Sequence, residues 1–85
     1  MIQVAIEQLR EKIDGVDARI LALIEERVEL AKKIGTVKKK KGLEITDPKR
    51  EDEIVRNLMG KTRLNKKFVK KIFQDIISYC RENEA

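Results

Sequence analysis

The fold is decided by residues 4–40, which read VAIEQLREKIDGVDARILALIEERVELAKKIGTVKKK. The stretch has no proline, and only Gly15 and Gly35 interrupt good helix formers whose apolar members recur at helical spacing. This pattern predicts one helix from about Val4 to Lys40. At 1.5 Å per residue that helix is about 55 Å long, whereas a compact domain of this size is about 30 Å across. Because one chain cannot cover such a helix, we expect a second copy to do so in an intertwined, domain-swapped homodimer.

A second, shorter helix is predicted over about 48–59. Gly42 is expected to end the long helix, because glycine readily adopts the conformation that closes a helix. Asp47 followed by Pro48 is typical of the start of a helix, with Asp47 as the N-cap and Pro48 at the first helical position. Gly60 is expected to stop this helix.

A third helix of medium length is predicted over about 66–83, with Asn65 as its cap. Apolar residues with helical spacing form its predicted buried face, namely Phe68, Val69, Ile72, Phe73, Ile76, Ile77 and Cys80. The sequence therefore predicts a single all-α domain over residues 1–85, built from one long, one short and one medium helix.

Composition excludes several classes of chemistry. The 85 residues include no histidine and one cysteine, so neither an internal disulfide nor a sensible zinc or iron ligand set is expected. The lack of histidine also removes the usual general base and the common nucleophile pairs. No apolar run approaches the ~20 residues of a membrane span, and no signal peptide is recognisable. We expect a cytoplasmic protein that uses no metal or cofactor, does not contact membranes and works through charge and shape.

The net charge of +5 predicts an anionic partner. Nucleic acid, an acidic protein and a small polyanionic metabolite all fit this charge. One tyrosine and two phenylalanines are the only aromatic residues, which disfavours a protein that binds single strands by base stacking.

Charged residues interrupt an apolar stripe on the predicted long helix. This stripe has 4-3-4-3 spacing and comprises Ile6, Arg10, Ile13, Asp17, Ile20, Ile24, Arg27, Ala31, Ile34 and Lys38. Burying a charge without a partner is costly. Asp17 can neutralise at most one of the three cations, so about two positive charges require an anion from elsewhere.

Helix geometry predicts where that anion binds. Arg27 and Lys38 are eleven residues apart, so they point the same way about 16 Å apart along the axis, which leaves room for a small polyanion. Arg10 lies about 26 Å from Arg27 and cannot reach the same pocket in its own chain. If two long helices pair antiparallel, Arg10 of one chain approaches the pocket of the other, which predicts two shared sites per dimer.

Each candidate residue also has an ordinary structural explanation. Single cations in an apolar stripe commonly set helix register or extend to solvent. Asp47 is explained by N-capping alone, and Arg50 and Glu51 suit the surface of a helix's first turn. Cys80 suits a core position.

Five stretches carry a resemblance to a known family: residues 9–14 (LREKID), 23–31 (LIEERVELA), Lys38, 45–51 (ITDPKRE) and 72–77 (IFQDII). In order and spacing, over nearly the whole length, the chain resembles the all-α class of chorismate mutases. In that family the long helices of two chains intertwine, and each site borrows one arginine from the partner. The resemblance implies an isomerase that converts chorismate to prephenate on the route to phenylalanine and tyrosine.

The resemblance also implies roles for particular residues. Arg10 of the partner, Arg27 and Lys38 would hold the two carboxylates and the ether oxygen of chorismate. Asp47 and Glu51 resemble the residues that bind the ring hydroxyl. Arg50, beside Glu51, resembles a residue that supports the site or contacts the substrate.

The third helix departs from the commonest family pattern. Many members have serine and then glutamine, four residues apart, where this chain has Cys80 and Glu84. The first change weakens one polar contact, and Cys80 stays a candidate substrate-binding residue. The second change alters the chemistry of the site. In the family the glutamine donates a hydrogen bond to the ether oxygen, whereas an ionised Glu84 has no proton to donate. We therefore predict that Glu84 acts only in its protonated form.

Two other functions remain open at this point. Isochorismate-pyruvate lyase resembles the same fold and acts on a closely related substrate. A basic helical dimer that binds nucleic acid belongs to a different class, and its affinity would depend on exposed lysines and fall steeply with salt.

Overall fold

The computed structural model describes residues 2–85, with the side chains of residues 5–85. It contains the helices α1 (Ile2–Lys41), α2 (Pro48–Met59) and α3 (Lys66–Glu84), and no strand occurs in the described part of the chain. The predicted all-α class is confirmed, and no helix end lies more than two residues from its predicted position. Within residues 2–85, no helix is long and apolar enough to span a bilayer.

Gly42 closes α1 as predicted, and its backbone shows why glycine is needed there. Its φ of +69° lies in the left-handed region, which residues with a Cβ rarely adopt. The Leu43 N–H donates to the Lys38 carbonyl oxygen at 2.8 Å, and the Gly42 N–H donates to the Lys39 carbonyl oxygen at 3.3 Å. These two bonds form a Schellman cap. The cap turns the chain sharply, so the loop over residues 43–47 comes back beside the end of α1.

Both predicted N-caps are confirmed. Asp47 Oδ1 accepts a hydrogen bond from the Arg50 N–H at 3.1 Å, and Asn65 Oδ1 accepts one from the Phe68 N–H at 3.1 Å. Gly60 follows α2 but has a φ of −78°, so its right-handed backbone does not require glycine.

The core is small because α3 is the only helix that packs against both of the others. Its buried side chains are Val28 and Ala31 from α1, Val55 from α2, and Val69, Ile77 and Cys80 from α3. Phe68 and Ile72, which belong to the apolar stripe of α3, lie outside this core in the single chain, where Phe68 is 52 % exposed and Ile72 36 %. Both lie nearer the start of α3, whereas the buried contact with α1 involves its end.

The N-terminal half of α1 is left without cover in a chain that extends 61 Å along its longest axis. Seven large apolar residues between Ile6 and Leu23 are 41–63 % exposed: Ile6, Leu9, Ile13, Val16, Ile20, Leu21 and Leu23. Such a contiguous apolar surface is unfavourable in water, at about 25 cal/mol per Å². The uncovered length agrees with the expectation that one chain cannot bury this helix, and the dimer remains a prediction.

Gly35 allows α1 and α3 to approach closely. A Cβ at this position would lie 2.5 Å from the Glu84 carbonyl oxygen and 2.9 Å from the Glu84 Cα. Both are backbone atoms, so relief requires the end of α3 to move rather than a side chain to rotate. Gly35 therefore determines how near the last turn of α3 comes to Lys38, one turn further along α1.

We expect opposite effects from alanine at the two glycines of α1. Gly35→Ala should lower the free energy of unfolding by about 1–2 kcal/mol, because the overpacking outweighs the gain in helix propensity. Gly15→Ala is the matched control, because a Cβ there meets nothing within 4 Å and should stabilise the helix by about 1 kcal/mol. Denaturant unfolding at one fixed protein concentration measures both variants. Equal stabilisation by the two alanines would refute the close-approach argument.

Candidate active site

A cavity of about 400 Å³ lies where the end of α1, the start of α2 and the end of α3 meet. This volume is within the range of small-molecule sites. Seven of the eight residues proposed from the sequence line it, namely Arg27, Lys38, Asp47, Arg50, Glu51, Cys80 and Glu84. Residues from three separate segments of the sequence therefore converge on one cavity.

Arg10 is the candidate that does not line this cavity. Its side chain is exposed on the N-terminal half of α1, seventeen residues before Arg27. A straight helix holds the two about 26 Å apart, so the chain cannot bring its own Arg10 to the site. Its position remains compatible with delivery to the cavity of a second chain.

Arg27 is the unpaired cation of the cavity. It is half-buried, and among the described residues no carboxylate oxygen lies within 4.0 Å of its guanidinium. A half-buried guanidinium without a partner is a favourable place for an anion, because the charge is already partly desolvated. This is the surplus positive charge that the stripe on α1 predicts.

Lys38 links the loop after α1 to the end of α3. Its Nζ donates to the Ile45 carbonyl oxygen at 2.8 Å and to Glu84 Oε2 at 3.4 Å. The Lys38 and Glu84 side chains are only 19 % and 12 % exposed, so their attraction is screened less than that of a surface pair. Glu84 therefore has a cation beside it and accepts, rather than donates, a hydrogen bond.

Asp47 and Arg50 lie on the exposed side of the cavity. The Asp47 carboxylate caps α2, as its ordinary explanation requires, and the Arg50 Nη1 donates to Glu53 Oε1 at 2.8 Å. The Arg50 and Glu53 side chains are both mostly exposed, so this pair contributes little to stability and the guanidinium can exchange partners readily.

Arg81 is a residue of the cavity that the sequence analysis missed. Its Nη1 donates to both carboxylate oxygens of Glu51, at 2.7 and 2.8 Å. A signal for it exists, since Ile77, Arg81 and Glu84 share one face of α3 at spacings of four and three. That spacing does not reveal its partner, which lies thirty residues earlier in the chain.

The charges of the cavity suit a dianion. Four cations and three carboxylates line it, which leaves a net charge of +1 when all are ionised. One further arginine from a second chain would raise this to +2. A larger cavity of about 480 Å³ shares Glu51, Ile77 and Arg81 with the first, but Glu51 is the only proposed residue it contains. We therefore take the smaller, more cationic cavity as the candidate site.

The chemistry available in this cavity is electrostatic. The chain has no histidine, and within the described residues no group of histidine, cysteine, aspartate and glutamate is arranged to hold a metal ion. Guanidinium and ammonium groups can fix carboxylates in a set orientation and stabilise negative charge that develops on an oxygen atom. The fold and the site define a small all-α protein with a cationic cavity whose charge favours a compact polyanion.

Comparison with known proteins identifies the family. The sequence pattern of the family "Chorismate mutase type II" matches residues 9–85, so the chain belongs to that family. It is 39 % identical to a chorismate mutase of Methanocaldococcus jannaschii over 75 residues, which cover 85 % of this chain and 76 % of that protein. A solved chorismate mutase structure from Thermus thermophilus matches with a TM-score of 0.89 and 32 % identity, over 93 % of this chain and 92 % of that one.

Some relatives are much longer. The chain is 39 % identical over 84 residues to a bifunctional chorismate mutase/prephenate dehydratase of Aquifex aeolicus. The match covers 88 % of this chain but only 22 % of that protein. The chain thus spans about a fifth of that bifunctional relative.

Proposed function

We propose that this protein is an isomerase that converts chorismate to prephenate by an intramolecular [3,3] rearrangement. The observation that carries the proposal is the cavity lined by the unpaired Arg27, by Lys38 and by the start of α2. The reaction moves no proton, so it needs neither a nucleophile nor a general base. Its barrier falls when the dianion is held in its compact conformer and a donor is aimed at the ether oxygen as the C–O bond breaks.

In this proposal the cations of the cavity clamp the substrate. Arg27 and the partner's Arg10 bind the two carboxylates, and Lys38 turns its Nζ from the Ile45 carbonyl to the ether oxygen. Glu51 and Asp47 accept hydrogen bonds from the ring hydroxyl. Arg50 supports the open side of the site.

Two residues at the end of α3 complete the proposed site. Cys80 is 3 % exposed and packs against Val28 and Ala31, so we assign its thiol to the cavity wall, against the substrate. Glu84, when protonated, is the second donor to the ether oxygen. Because Cys80 is a free thiol, which reducing conditions preserve, we place the activity in the cytoplasm.

The proposal includes a homodimer with two shared sites. Support comes from the exposed apolar side of α1 between Ile6 and Leu23 and from the distance of Arg10 from its own cavity. A second α1 laid antiparallel covers the first and brings its Arg10 to the other chain's Arg27. Sedimentation velocity should show a species of twice the chain mass of 9.9 kDa at micromolar concentration. A monomer that retains full activity on dilution would refute the shared site.

The activity is tested by incubating the purified protein with chorismate and following the loss of its absorbance while prephenate is quantified. The lyase alternative is tested with isochorismate, which would release pyruvate. A nucleic-acid-binding protein would instead bind a labelled duplex with an affinity that falls steeply with salt. We expect prephenate formation, and pyruvate release or duplex binding without prephenate would overturn the proposal.

A further inference from the structure

The ion pair between Glu51 and Arg81 joins α2 to α3 at the wall of the candidate site. One nitrogen, Arg81 Nη1, contacts both carboxylate oxygens, and the two side chains are 26 % and 35 % exposed. Each carboxylate oxygen has two acceptor sites, so a contact with Nη1 leaves one free on each for another donor. Arg81 therefore holds the Glu51 carboxylate while leaving it able to accept a hydrogen bond from a hydroxyl group.

Without Arg81, the Glu51 side chain could turn toward either of two cavities. Its side chain lines both the candidate site and the larger neighbouring cavity between α2 and α3. Glutamate has three rotatable side-chain bonds, and ordering them has an entropic cost. If Arg81 did not hold the side chain, this cost would arise on substrate binding and lower the affinity. Among the ion pairs of the described residues, this one has the shortest contact, and it alone involves Glu51.

We propose that Arg81 is a positioning residue that holds the Glu51 carboxylate where it accepts the ring hydroxyl of the substrate. This inference rests on the proposed function, because it concerns the same site. Arg81 acts through Glu51 and need not touch the substrate. A hydroxyl that does not react is bound alike in the ground state and the transition state, so loss of Arg81 should weaken binding more than chemistry.

The test compares steady-state kinetics of four forms with chorismate: wild type, Arg81→Met, Glu51→Gln and the double variant. Methionine keeps most of the apolar stem of Arg81 and removes its charge. We expect Arg81→Met to raise KM about 10- to 30-fold with kcat within about 3-fold of wild type, the size expected for a charge-assisted hydrogen bond. In the Glu51→Gln background the same change should raise KM less than 3-fold, because the charged carboxylate with which Arg81 pairs is already gone.

Two further variants separate positioning from general packing. Arg81→Lys keeps a cation in reach of Glu51 and should recover most of the lost affinity. Arg56→Met is the matched control, because Arg56 pairs only with the exposed Asp52 on the surface of α2, and it should leave KM unchanged. If Arg81→Met does not fold, Arg81→Gln replaces it, because a neutral polar side chain also removes the charge beside Glu51 and should raise KM similarly.

The outcomes distinguish this inference from the function on which it rests. Additive effects of Arg81→Met and Glu51→Gln, a loss confined to kcat, or no rescue by lysine would overturn the role of Arg81 while wild-type turnover stands. A wild-type protein that does not convert chorismate would overturn the proposed function and the role of Arg81 with it.

Discussion

Replacing Arg27 or Lys38 with alanine is expected to lower kcat/KM for chorismate at least 100-fold. Among the described residues Arg27 is the half-buried cation with no carboxylate partner, and Lys38 is the cation beside the end of α3, so each variant removes a positive charge from the cavity proposed to hold the dianion. A 100-fold loss corresponds to about 2.7 kcal/mol of transition-state stabilisation. Initial rates at several chorismate concentrations measure it directly.

A surface arginine on the same helix provides the control. Arg19 is exposed on α1, four residues after Gly15, and Arg19→Ala should leave kcat/KM within about 2-fold of wild type. Arg27→Ala should also raise the stability of the free protein, because it removes a partly desolvated, unpaired charge. Full activity in Arg27→Ala together with altered stability would mean that Arg27 serves folding alone.

Mixing variants tests whether a site takes residues from two chains. Arg10→Ala should lower kcat/KM by at least 100-fold on its own, like Arg27→Ala. In a dimer with one chain of each kind, one site receives both intact arginines and the other receives neither. Mixed, unfolded and refolded chains should therefore regain about a quarter of wild-type activity, since half of the dimers are mixed and each has one intact site. No recovery in the mixture would refute the shared site.

Glu84→Gln is expected to change how activity depends on pH. In the free chain Lys38 Nζ lies 3.4 Å from Glu84 Oε2, while Arg27 from α1, Asp47 and Glu51 around the start of α2, and Arg81 from α3 line the same cavity. An ionised Glu84 has no proton to donate to the ether oxygen, whereas a glutamine amide in its place has two.

The sign of the effect follows from which form is active. If only protonated Glu84 donates to the ether oxygen, wild-type kcat/KM is highest at low pH. It then falls as the pH rises. A glutamine amide donates at every pH, so Glu84→Gln should flatten the profile and raise activity at neutral pH. Rates measured from pH 5 to 9 test this.

Glu82→Gln is the matched control for Glu84→Gln. Glu82 is exposed on the same turn of α3 and is not among the residues lining the cavity, so its replacement should leave the profile unchanged. A wild-type profile already flat from pH 5 to 9, with Glu84→Ala fully active, would place Glu84 outside the reaction. Lys38 would then be the one donor to the ether oxygen.

Much of the candidate site follows from spacing along the helices. Arg27 and Lys38 lie on one side of α1 because eleven residues make about three turns. Asp47 and Glu51 both line the cavity because the N-cap of α2 is adjacent to its first turn. The resemblance to a family added Cys80 and Glu84. Arg81 was missed because its importance lies in its contact with Glu51, and local spacing carries no information on how two helices are rotated against each other.

The helices themselves were determined by the sequence alone. Caps at Asp47 and Asn65, the left-handed Gly42 and the periodic apolar residues act within one or two turns, so their effects can be predicted without the fold. The length of α1 likewise predicts a covering surface from outside the chain.

Only the tertiary structure decided which side chains meet across helices. Nothing in the sequence distinguishes Gly35, yet its lack of a Cβ allows the Glu84 backbone to approach α1 closely. Phe68 fits the apolar stripe of α3 but is exposed in the isolated chain. The Lys38 ammonium pairs with Glu84 and Arg81 with Glu51 for the same reason. Such contacts depend on the distance and rotation between packed helices, which the summed packing of many side chains sets rather than any local pattern.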